Sequence, residues 1–204
     1  MGIFEELTRD TDDPDAIEGL RGKIEAWIRP GFYERAEVVD YATDYRDDDE
    51  LPVTDEQLEQ LVGELWQARL AEQESWPERT DADRLAAAFD ELDTAGVIAR
   101  MNFTCCQTCG TAEIADERPA DRLSSGYVFF HQQDAETLVD DPAHLFLAYG
   151  PFEPERDRFA DQVVEVGRQV VAVLESHSLP VTWNGTAGAR IQIGPITWLR
   201  RLPA

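Results

Sequence analysis

The sequence predicts an α+β protein, a helical N-terminal region followed by a small sheet domain, and three observations carry that reading. Apolar residues recur at helical spacing until about residue 95. From Gly96 onward, short β-branched and aromatic runs alternate with helical ones. Charge divides at the same place: residues 1–100 hold 28 acids and 10 bases, whereas residues 101–204 hold 14 and 8.

In the first half, Ala16 to Trp27 and Tyr33 to Tyr45 read as helices, separated from the next by the acid run Asp47 to Glu50, a solvated linker without the glycine of a calcium loop. Thr54 and Gln57 form a capping box, after which Leu58, Leu61, Val62, Leu65 and Trp66 keep helical spacing until Pro77 stops the run. A further helix starts after Thr80, sets Leu85, Phe89 and Leu92 on one face, and ends near Gly96.

In the second half, Val97 to Phe103 reads as a strand, Thr104 to about Arg118 as a helix, and Gly126 to His131 and His144 to Tyr149 as two more strands. Phe159, Val163, Val166, Val170 and Leu174 then lay an apolar stripe along a long helix, and Pro180 to Trp183 follows as a strand. The order βαββαβ predicts a ferredoxin-like domain with helices on one face of a split sheet. Asn184-Gly185 adds a hairpin into Arg190 to Ile193, and Thr197 to Arg200 offers one more strand. The expected division is therefore 1–95, an acidic helical region, and 96–204, the ferredoxin-like domain.

Net charge of -24 repels phosphate backbones and anionic headgroups, so neither nucleic acid nor a membrane surface is an expected partner. Nowhere do 18 apolar residues run together, and Met1 to Asp10 carries acids where an export signal carries bases. The expected location is the cytoplasm, with the three cysteines as reduced thiols. Patterns for dinucleotide or phosphate binding, for H-E-x-x-H zinc sites and for the G-x-S-x-G elbow are missing.

The chemistry concentrates in Phe103 to Gly110, FTCCQTCG. Thr104 and Gln107 stand as a capping box, which makes Thr104 the N-cap and puts Cys106 among the free N–H groups of the helix start, where a thiolate is favoured. Thr94 to Ala112 contains no acid that would raise the thiol pKa. Cys106 and Cys109 as a Cys-x-x-Cys pair serve either of two chemistries: two thiolates for zinc or copper, or a dithiol redox couple in which Cys106 attacks and Cys109 resolves. A third reading leaves them as packed structural cysteines in a non-enzymatic regulatory or interaction module. On the split-sheet topology, His131 falls beside the pair as a further metal ligand, with His144, His177 or Asp134 as the fourth. Cys105 is left out as a ligand, because a cysteine next to Cys106 seldom shares the same metal. The polar exit His131-Gln132-Gln133-Asp134 is a second candidate site, while Arg190, Arg200 and Arg201 read as a solvated basic edge.

FTCCQTCG, GYVFFHQQD at Gly126 to Asp134, and VTWNGT at Val181 to Thr186 together resemble a bacterial family known as a domain of unknown function, over approximately residues 80–204. That resemblance implies no activity, substrate or catalytic residue. A looser similarity of position exists to the heavy-metal-associated domain, which carries M-x-C-x-x-C at a strand-to-helix junction; Met101 is displaced from that pattern here.

Overall fold

A computed structural model describes residues 13–121 and 123–203; the Met1 to Asp10 stretch read above for its lack of an export signal lies outside them. The described chain forms two units, one reaching Ser75 and including Arg201 to Pro203, the other spanning Trp76 to Arg200.

The first unit is three helices. In α1 (Pro14–Ile28) the Asp13 carboxylate accepts from the N–H groups of Asp15 and Ala16, and proline occupies the first turn, where its missing N–H costs nothing. Glu34 and Glu37 close a capping box on α2 (Arg35–Asp48), and Thr54 and Gln57 close the expected one on α3 (Asp55–Gln73). Leu20, Ile24, Val38, Leu58, Val62 and Trp66 bring the three apolar faces together, with Leu202 from the C-terminal tail among them. Each such burial stabilises by roughly 1.5–3 kcal/mol. The acid run does not stand apart as a linker: Asp47 and Asp48 are the last residues of α2.

In the second unit α4 (Asp81–Thr94) buries Leu85, Ala88, Phe89 and Leu92. The sequence reading set the division after residue 95. That buried face packs on β1 (Val97–Arg100) and on α7 (Phe159–Ser176), which groups α4 with the sheet.

The sheet has five strands in the order β1-β2-β3-β5-β4, with β2 at Gly126–Phe129, β3 at Ala143–Pro151, β4 at Val181–Thr182 and β5 at Ile191–Ile196. This corrects the ferredoxin-like expectation. β1 and β2 pair directly and in parallel, Val97 against Gly126 through Arg100 against Phe129, with no strand between them. All other pairs are antiparallel, and β3 pairs with β5, the strand read as an added hairpin. The physical reason lies in burial: Ile191, Ile193 and Ile196 of β5 are buried, whereas Val181 and Thr182 of β4 are not, so β5 takes the interior place and β4 the edge. Thr197 to Arg200 forms no strand.

Helices also occupy both faces of the sheet, not one. On β2, Gly126 faces Val166 of α7, and the alternation of the pleat turns Tyr127 and Phe129 the other way. There Phe129, Ile98 and Ala148 pack with Ile114, which follows α5 (Gln107–Glu113). A short α6 (Gln132–Ala135) leaves the end of β2. Among the described residues no helix is long and apolar enough to cross a membrane.

Candidate metal centre

The loop between β1 and α5 is bent by two residues with left-handed backbone, Asn102 at φ 51° and Thr104 at φ 57°. Asparagine tolerates that conformation; β-branched threonine rarely adopts it. Its surroundings hold it there. Phe103 N–H donates to the Phe130 carbonyl at 2.8 Å, Gln132 N–H donates to the Thr104 carbonyl at 3.0 Å, and the Phe103 ring meets Phe129 edge-on at 5.9 Å.

The helix starts later than the sequence suggests. Cys106, with extended backbone, is the N-cap of α5, and Thr104 instead donates its hydroxyl to the Cys106 carbonyl at 3.3 Å. An N-cap needs β-region dihedrals, which the left-handed Thr104 does not have. Cys105 therefore precedes the helix, Cys106 caps it, and Cys109 is its third residue.

That displacement gathers all three sulfurs. The Sγ atoms of Cys105, Cys106 and Cys109 lie within 4.8 Å of one another, and all three thiols are free. Cys105, left out as a ligand because it adjoins Cys106, stands in the same sulfur group. Cys105 is exposed and the other two are half-buried, so the group opens to solvent.

Their electrostatics are unequal. The Cys106 thiol is pushed below its ordinary value, chiefly by the Cys109 N–H and then by the thiols of Cys109 and Cys105. The Thr108 N–H acts in the same direction, and burial acts against it. The Cys109 thiol, donating toward the Cys105 and Cys106 sulfurs, is pushed up to about 11.

His131 is not brought into the sulfur group. It is the buried N-cap of α6: Nδ1 accepts from the Asp134 N–H at 3.2 Å, and Nε2 lies 3.0 Å from Asp134 Oδ2. Asp134 is held in turn by both Nη atoms of Arg190, at 2.8 and 2.6 Å. Burial pushes the His131 pKa down, against the opposing pull of Asp134. His144 is bonded to Gln192 at 2.9 Å and His177 to Glu91 at 2.8 Å. The expected gathering of imidazoles relied on a split sheet that does not form.

Two placements have no signal in the local sequence. Cys105 lies with the other two sulfurs, and Arg190, expected on a solvated edge, is the bidentate partner of a buried acid 56 positions away. No local spacing announces such a pair.

Fold and site together define an α+β protein with an open three-cysteine cluster at a strand-to-helix junction. The chain belongs to the family described as domain of unknown function DUF6891, whose model matches residues 13–202 and therefore includes the N-terminal helices as well as the sheet. No curated protein and no solved structure matches it.

Proposed function

We propose that this protein binds a thiophilic metal ion, zinc or copper, through Cys105, Cys106 and Cys109. One observation carries the reading: three free sulfurs within 4.8 Å of one another at a solvent-open helix start. Metal–sulfur bonds of about 2.3 Å place sulfurs roughly 4 Å apart around one ion, so only small side-chain movements are needed. Binding displaces the thiol protons, and the helix N-terminus favours the resulting negative charge. Reduced thiols suit a cytoplasmic setting, and a net charge of -24 makes nucleic acid an unsuitable partner.

The test is reconstitution of the tag-free protein with Zn(II) or Cu(I), removal of loose metal, and elemental analysis. One ion per chain is expected, and none in a variant with all three cysteines changed to serine whose circular dichroism matches the parent. Equal metal in both proteins contradicts the reading.

A redox role is favoured by a different feature, the placement of Cys106 at the helix start with Cys109 three residues on. The Cys106 thiolate would attack a substrate disulfide, expelling one thiolate; Cys109 would then attack Cys106 Sγ, expelling the second and leaving a Cys106–Cys109 disulfide. Disulfide exchange by metal-free protein that is abolished in Cys106→Ser supports this role, and failure of the parent to exchange rejects it.

A further inference from the structure

We infer that a second site, separate from the sulfurs, binds a small monocarboxylate through Arg190, Tyr127, Thr111 and Gln107. These four side chains line one cavity of about 120 Å³ between α5, the β2–β3 pair and the loop 187–189 that leads into β5; no cysteine takes part in its lining. Pockets for larger ligands run to roughly 300–1,000 Å³, so this one suits a carboxylate of about two to four carbons. None of the lining residues is acidic, in a chain that carries 42 acids. What the cavity offers is hydrogen-bond donors in want of an acceptor. The side chains of Gln107, Thr111 and Tyr127 make no hydrogen bond among the described residues, and Arg190 Nε is buried without a partner, a state in which folded proteins rarely leave a donor. Burial pushes the Tyr127 phenol up, so its hydroxyl keeps the proton it would donate.

The guanidinium is set in place before any ligand arrives. Both Nη atoms of Arg190 donate to Asp134, at 2.8 and 2.6 Å, and Nη2 donates also to the Phe146 carbonyl at 2.6 Å. Asp134 is itself buried, with His131 Nε2 at 3.0 Å. Burying a carboxylate is costly unless it is paired, and here the pairing fixes the plane of a guanidinium that lines a cavity. The polar exit from β2, His131 to Asp134, thereby acts through Arg190 as a positioning element. The loop wall is fixed too, by the Tyr149 hydroxyl donating to the Ala189 carbonyl at 2.8 Å. Charge sets the class of ligand. Asp134 balances Arg190, so the cavity accepts a single negative charge on neutral donors, whereas a phosphate dianion adds a second charge to a chain already at -24. A cation would find no carboxylate in the lining.

Titration of the isotope-labelled full chain with acetate, propanoate and butanoate, followed by NMR, tests this, with propanamide and inorganic phosphate as the uncharged and doubly charged controls. Saturable shifts of the Gln107, Thr111 and Gly188 amides are expected with a Kd of about 1 mM for the best carboxylate, and binding of both controls at least about tenfold weaker. Gln107→Ala with Thr111→Val changes two exposed positions, so the fold is retained, and is expected to weaken propanoate binding at least about fivefold. Arg190→Lys keeps a counter-charge for Asp134 but removes Nε and the fork, and is expected to abolish binding in protein whose circular dichroism matches the parent. The chain with all three cysteines changed to serine is expected to bind propanoate like the parent. Absence of a saturable shift up to about 20 mM carboxylate, propanamide or phosphate binding as tightly, or unchanged affinity in either cavity variant overturns the inference. Loss of binding in the folded serine variant overturns the separation of this site from the sulfurs.

Discussion

Gly110 and Phe129 meet so closely that a Cβ built on the glycine would stand 2.4 Å from the phenylalanine ring. The ring itself is fully buried in the sheet. This contact sets α5 directly on β2 and thereby fixes where Cys106 and Cys109 project. In an exposed helix Gly→Ala is stabilising by up to about 1 kcal/mol; here Gly110→Ala is expected to destabilise by about 1–3 kcal/mol through overpacking. Urea denaturation of the variant checks the sign, and a gain in stability would contradict the packing described.

Thr104 gives the opposite expectation. Its left-handed backbone is unfavourable for a β-branched residue by roughly 1–2 kcal/mol. Thr104→Asn, which tolerates that conformation, is expected to raise stability by about 1 kcal/mol while leaving metal content unchanged, as read by thermal unfolding and elemental analysis. A clear loss of stability would mean that the Thr104 hydroxyl bond to the Cys106 carbonyl outweighs the backbone term.

The Asp134–Arg190 pair ties the start of α6 to the residue before β5. Asp134 is buried, and both of its oxygens are occupied by Arg190. Arg190→Ala leaves that carboxylate without its counter-charge and is expected to cost about 3 kcal/mol or more. Copper or zinc stoichiometry of the folded variant should be unaltered, which separates this cluster from the sulfur site.

Acid should weaken the protein through His131. Its pKa in the fold lies below the unfolded value of about 6.5 because burial disfavours the charged ring, with Arg190 acting in the same direction and Asp134 and Glu136 against it. The unfolded chain therefore binds the proton first. The stability this group contributes is complete above about pH 6.5 and is lost as the pH falls through the folded pKa. His131→Asn preserves an N-cap acceptor and should flatten that part of the stability–pH curve relative to the parent. Identical slopes in the two proteins would contradict a neutral buried imidazole.

Thiol reactivity should follow the inequality within the cluster. In metal-free protein Cys106, held below its ordinary pKa, is expected to alkylate first as pH rises, and Cys109, held up to about 11, well after it. Mass spectrometry of iodoacetamide-treated protein across pH 6 to 10 would show the order; simultaneous labelling would argue against the hydrogen bonding among the sulfurs.

Much of this fold is written in local patterns. Thr54 with Gln57 and the stripe from Val163 to Leu174 depend on neighbours three and four residues apart, and both appear where the spacing puts them. Pairing of β3 with β5 is different, because it depends on competition between distant strands for an interior place, which Val181 and Thr182 lose to the buried isoleucines of β5. The site divides in the same way. Cys106 and Cys109 are legible as a motif, whereas Cys105 joins them after a left-handed Thr104 whose carbonyl accepts from Gln132 N–H, a contact between segments distant in sequence. His131 lies outside the sulfur group, its ring closing on its own helix start at Asp134, a polar satisfaction that only the folded backbone defines.

Sulfur protection reads the site most directly. Protein loaded with one equivalent of Cu(I) or Zn(II) is exposed to excess alkylating agent, and modified cysteines are counted before and after a chelator is added. Cooperative protection of Cys105, Cys106 and Cys109, lost together when the metal is removed, is the predicted result. Labelling of all three at the rate of the metal-free chain would contradict the assignment of this cluster as a metal centre.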